Sequence, residues 1–152
     1  MTALLAIDPG TTHSGWVRFA DGRVTASGVA ENHDILEMVD DDSLGNVAIE
    51  MIASYGMAVG REVFETCVWI GRFIERRSDR NECRLVYRKD VKLHLCGSPR
   101  AKDANIRQAL IDRWGGKAEA VGTVKKPGPL YGVKSHAWAA LAVAVTALET
   151  KP

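Results

Sequence analysis

Cysteine is scarce in this sequence. Cys67, Cys83 and Cys96 are odd in number and lack metal-ligand spacing. They indicate neither a disulfide framework nor a cysteine zinc site, and a reducing cytoplasm is the expected home. Long apolar runs are also lacking: the longest lies close to the C-terminus and is too short to span a bilayer. No basic segment precedes the short apolar stretch at the N-terminus, so no secretory signal is expected. Internal repeats, low-complexity tracts and linker-like segments are missing, and 152 residues suit one domain, 1–152, with one substantial core. Positive charge is nearly absent from the first sixty residues, which hold Arg18 and Arg23 against nine acidic side chains. The remainder holds eighteen basic residues against ten acidic ones. A net charge of +1 therefore hides halves of −7 and +8. An acidic cluster beside a basic surface is what a metal-dependent enzyme acting on a polyanion needs, although scattered charges also serve simply as solvated surface.

What is present reads as an α/β domain. Residues 3–8 form an apolar strand that ends in Asp8, and Pro9-Gly10 breaks it. Residues 14–20 and 23–30 form two more strands around Asp21-Gly22, a strong hairpin signal, so the chain opens with an antiparallel three-stranded meander. A short helix follows over roughly 34–40, ended by the solvent-facing acids Asp40, Asp41 and Asp42. Residues 46–51 are apolar throughout, like a central parallel strand, and carry Glu50 at their end. The spacing of Val63, Phe64, Cys67, Val68, Ile70, Gly71 and Ile74 predicts a helix over about 61–77, with Arg72, Arg76 and Arg77 favouring its C-terminal dipole. Residues 83–87 are a fifth strand. A short helix opens at Arg88 and stops at Gly97, and an amphipathic helix spans 101–114. Residues 117–132 have loop chemistry and are expected to be mobile or functional. A helix of Ala, Leu and Val over about 134–149, with Ser135 as a cap, lies flat on the sheet. The order is β-β-β-α-β-α-β-α-α-α.

Two separate apolar strands each finish with an acid. If they lie side by side and parallel, Asp8 and Glu50 meet at one edge of the sheet, where open α/β sheets bind their ligands. Like charges placed there repel unless a cation lies between them. His136, in the first turn of the last helix, can join them. Carboxylates and imidazole suit Mg²⁺ or Mn²⁺, and two such ions about 4 Å apart support phosphodiester hydrolysis. Asp-Pro-Gly is also ordinary turn chemistry, and His136 taken alone is also an ordinary exposed residue at a helix start.

These segments together resemble the RuvC family of Holliday junction resolvases, within the RNase H-like nucleases. The resemblance covers the whole chain. It is carried by Ala6-Ile7-Asp8-Pro9-Gly10-Thr11-Thr12-His13-Ser14-Gly15, by Ala48-Ile49-Glu50, by Asp90-Val91-Lys92 with Gly97 and Ala101-Lys102-Asp103, and by His136-Ala137-Trp138-Ala139-Ala140-Leu141-Ala142. The Gly-Pro-Leu-Tyr-Gly approach to the last helix looks more like phage-type members than cellular ones. The resemblance implies an RNase H-like fold: a mixed five-stranded sheet, meander plus parallel strands, with helices on both faces. It implies a homodimeric, Mg²⁺-dependent endonuclease, with Mn²⁺ as substitute, that cuts four-way or other branched DNA in a bacterial or phage-infected cytoplasm, without membrane. Asp8, Glu50 and His136 are then the catalytic and metal residues. One departure stands out: the family's helix carries a second metal-binding position three residues after the first, and here that position is Ala139.

From residue 84 to 134 there are twelve Lys and Arg against four acids. Lys92, Arg100, Lys102 and Arg107 are the expected phosphate contacts, and Lys125, Lys126 and Lys134 are expected to reach the strand near the active site. Tyr55 is expected either to stack on an unpaired base at the junction centre or to pack on its own loop. Trp138 is expected in the core. The helix carrying Phe64, Trp69 and Phe73 is a candidate dimer contact or a simple core helix. Rival readings are an RNase H-like enzyme that trims RNA, a junction-binding protein disabled by Ala139, and an actin-like ATPase or sugar kinase. The last shares the Asp-x-Gly-Thr-Thr turn but needs two such domains.

Overall fold

Alternation along the strands sorts the sheet into two apolar faces. Leu4, Ala6, Val17, Phe19, Ala48 and Val86 are buried on one face, and Leu5, Ile7, Val47 and Ile49 on the other. Period-two side-chain direction forces this split. The computed structural model describes residues 3–77 and 83–151. Its elements are β1 (Ala3–Asp8), β2 (His13–Ala20), β3 (Arg23–Glu31), α1 (Asn32–Val39), β4 (Leu44–Met51), α2 (Arg61–Arg77), β5 (Cys83–Tyr87), α3 (Arg88–Cys96), α4 (Asp103–Arg113), α5 (Lys117–Ala120) and α6 (Ala137–Glu149). The strand order is β3-β2-β1-β4-β5. β2 runs antiparallel to β1 and β3, whereas β4 is parallel to both β1 and β5. The expected mixed five-stranded sheet with helices on both faces is what forms.

α6 packs across the middle of the sheet, mainly on β2, β1 and β4. Its alanines and valines are buried from Ala140 to Val145, which lets the helix lie close to the strands. α3, α4 and α5 complete that layer. α1 and α2 cover the other face. Asp21 and Gly22 take the left-handed backbone that a two-residue hairpin demands, at φ 53° and 74°.

Several expectations need correction. The acid triplet does not simply face solvent: Asp41 accepts a 2.8 Å bond from the Arg18 guanidinium, and Asp40 pairs with Arg76 at 3.8 Å. Arg77 does more than favour a helix end. It is fully buried and donates to the carbonyls of Val39, Asp41, Leu44 and Gly45, tying α2 to the α1–β4 connection. Phe64 and Val68 are each 63% exposed, while Thr66, Ile70 and Phe73 face the core. Residues 117–132 are not a loose loop: α5 forms, and Thr123, Gly128 and Leu130 donate backbone bonds to Lys126, Val121 and Ala120. Glycine makes this possible, because a Cβ at Gly122 would meet the Lys126 carbonyl oxygen at 2.3 Å. α6 begins at Ala137 and not at 134; Ser135 has φ 51° and does not cap it.

Candidate active site

Asp8 and Glu50 share a face because each lies an even number of residues from an α6-facing position on its own strand. Ala6 pairs with Ala48 and Ile7 with Ile49, so the two acids emerge side by side at the carboxyl ends of parallel strands. The turn after Asp8 is held from behind. Ser14 Oγ donates to Asn32 Oδ1 (2.6 Å), Asn32 Nδ2 donates to the Gly10 carbonyl (2.9 Å), and Gly10 N–H donates to Ser14 Oγ (3.2 Å). Ser14 and Asn32 are buried.

Gly15 pairs with Asp8 across β2, and α6 starts directly above it. A Cβ at Gly15 would come within 2.5 Å of the His136 carbonyl oxygen. The missing side chain therefore lets His136 approach, with Nδ1 3.4 Å from Asp8 Oδ2. The imidazole itself is 71% exposed. It lines a cleft together with Arg88, Asp103 and Arg107.

Glu50 is buried and Asp8 half-buried, and the loss of solvent raises the pKa of both. Glu50 is pushed up to about 8, first by burial and then by its hydrogen bond to Asp8 and the Asp8 charge. Side by side without a cation, the two acids resist being charged together. Arg88 pulls both the other way. Its Nη1 stands 3.3 Å from Glu50 Oε1, and its Nη2 bonds Asp103 Oδ1. Arg88 and Asp103 were not among the site residues expected from the sequence. The available signal was β5, a third strand ending at the same edge: Met51 pairs with Tyr87, so the next residue, Arg88, arrives beside Glu50.

Among the described residues, no three His, Cys, Asp or Glu side chains are gathered tightly enough to hold an ion as they stand. The pair does fit a hard cation in its donor chemistry, since Mg²⁺ is commonly held by one or two carboxylates plus water. Two clefts flank it. One, of about 300 Å³, is lined by Arg88, Asp103, Arg107, His136 and Ala139 among others. The second, of about 510 Å³, is lined by Glu50, Tyr55, Arg88, Lys89 and Lys92 among others.

The basic residues divide accordingly. Lys92 and Tyr55 line the second cleft, where Lys89 Nζ lies 5.8 Å from the exposed Tyr55 ring. Arg107 lines the first, its guanidinium 4.8 Å over the buried Trp138 ring. Lys102 is the N-cap residue of α4, next to Asp103. Lys134 is exposed two residues before His136, and Arg100 is exposed in the turn before α4. Lys125 and Lys126 are not brought to the site. Their hairpin is seated by Val24 N–H on the Pro129 carbonyl, next to Phe19, which pairs with Leu4 at the far end of β1 from Asp8.

No family model matches the chain, and no curated protein matches it. Solved structures do. A Thermus thermophilus RuvC structure superposes with a TM-score of 0.68 at 18% identity, over 95% of this chain and 92% of that one. T. thermophilus RuvC in complex with Holliday junction substrate gives 0.68 at 20% identity, over 96% and 92%. The chain therefore has the RuvC fold, an RNase H-like architecture.

Proposed function

We propose that this protein is a metal-dependent, structure-selective endonuclease that cuts four-way or other branched DNA. The observation that carries the reading is the Asp8–Glu50 pair at the ends of adjacent parallel strands, with Glu50 lining a cleft that also holds Arg88, Lys89 and Lys92. The RuvC fold, seen elsewhere on a Holliday junction, agrees with it. Asp8 and Glu50 hold the cation, Mg²⁺ with Mn²⁺ as substitute. Such an ion polarises the scissile phosphate and lowers the pKa of a bound water. His136 takes the proton of the attacking water and is steadied by Asp8. Lys92, Arg100, Lys102, Arg107 and Lys134 bind phosphates around the cut, and Tyr55 offers an exposed ring to an unpaired base. Two symmetric cuts need two sites, so the acting species is a homodimer. Among the described residues no helix is long and apolar enough to cross a membrane, and the enzyme works in the cytoplasm, where its DNA is.

The test is cleavage of a synthetic four-way junction against a matching linear duplex, with Mg²⁺ and then Mn²⁺. Wild type is expected to cut the junction selectively, and Asp8→Asn and Glu50→Gln to lose at least about a hundredfold in rate. Equal cutting by Asp8→Asn, or cutting of RNA alone, would defeat the reading. A second reading rests on Ala139, which lines the cleft beside His136 and presents only a methyl group. In that reading the protein binds junctions without cutting them, and Ala139→Asp restores cutting.

A further inference from the structure

The cleft beside His136 has a carboxylate on one wall only. α6 contributes Ala139, and the opposite wall contributes Asp103, the first residue of α4. The Asp103 side chain is 85% exposed, so it needs no partner to offset burial. It nevertheless bonds one Arg88 nitrogen while the other faces Glu50. The two carboxylates are therefore separated by no more than one guanidinium fork and its hydrogen bonds. Asp103 also reaches Asp8 electrostatically, and its negative charge helps to raise the Asp8 pKa. A single delocalised monovalent cation thus stands between Glu50, which neighbours Asp8, and Asp103. A divalent ion is a stronger competitor for the same oxygens.

We infer that Asp103 is the third carboxylate of this site, binding the divalent cation together with Asp8 and Glu50 from the wall opposite Ala139, and that Arg88 positions it while no cation is bound. The inference rests on the metal-dependent reading above. Because Asp103 comes from α4 and not α6, the ion would link the start of α4 to the ends of β1 and β4. Arg88 must then release at least one of its two acids, and it becomes free to face a phosphate.

Mn²⁺ binding to the full chain without DNA tests this, measured by calorimetry and by the loss of free-ion paramagnetic resonance signal. Wild type, Asp8→Asn, Asp103→Asn and the double variant Asp103→Asn with Ala139→Asp are compared, with circular dichroism as the check on folding. Asp103→Asn is expected to weaken Mn²⁺ binding about tenfold or more while remaining folded. Placing the acid on α6 in the double variant is expected to recover most of that loss. If Asp103→Asn binds Mn²⁺ like wild type while Asp8→Asn does not, Asp103 only favours the α4 dipole; the inference fails and the metal-dependent reading stands. A defect in Asp103→Asn without recovery in the double variant also overturns it. No Mn²⁺ binding by wild type overturns both.

Discussion

Glu50 shows how one residue carries opposite demands. Its neighbours on β4 are apolar because the strand is central, so the acid at its end inherits a dry setting. The unfolded chain gives up this proton near the ordinary value of 4.5, whereas the folded chain holds it to about 8. Between those values the native state binds more protons, so stability falls as pH rises. In the presence of a chelator, the melting temperature of wild type is expected to decline from about pH 5 to about pH 8. Glu50→Gln should flatten that slope and be more stable at the upper end by roughly 2–4 kcal/mol. Parallel slopes in the two proteins, read by thermal denaturation, would show that Glu50 is not the group responsible. That Asp8, Glu50 and His136 come together was legible in the sequence because each breaks or closes an apolar pattern. Arg88 was not, because an arginine at the start of a helix has many surface roles; only the β4–β5 register aims it at Glu50.

The elements were mostly legible, and the exceptions share a cause. Strands and helices with a clean apolar period were placed to within a few residues. α2 was not fully read, because its period predicts an apolar face but not how far the core reaches around it. One side is occupied by Ile70, Phe73 and the buried Arg77, which leaves Phe64 and Val68 as an uncovered stripe one turn apart. Of the aromatics expected at a dimer contact, Phe73 is buried in the core, so within the homodimer proposal the contact falls to Phe64 and Val68. Phe64→Glu with Val68→Glu is expected to give a folded monomer by light scattering. On a four-way junction that monomer should make single nicks where the dimer makes paired cuts. A dimer that persists would move the interface elsewhere. In the 117–132 segment the loop chemistry was legible but the short α5 was not, and Gly122 and Gly128 serve close backbone approach.

Across the molecule, the basic residues of the second half are divided between the two ends of the sheet. Lys92 and Arg107 line the clefts at the end that holds Asp8, whereas the Lys125–Lys126 hairpin is seated by the opposite end of the sheet. Sequence order concealed this, because residues 125 and 136 are close along the chain. Junction binding titrated against salt is expected to lose about one unit of log–log slope for Lys92→Ala and again for Arg107→Ala, with slower cutting in both. Lys125→Ala with Lys126→Ala should weaken binding to long-armed junctions while leaving the single-turnover cutting rate near wild type. A large fall in that rate would place the hairpin at the cut after all. The position of α6 has a consequence for the order of assembly. The helix that seals the middle of the sheet and brings His136 over Gly15 comes after all five strands in the chain. A growing polypeptide with its strands already paired still exposes the row from Leu4 to Val86 to water, and it holds two carboxylates with no imidazole above them. The closing of the hydrophobic layer and the completion of the site are therefore one late event, made of contacts between residues far apart in sequence.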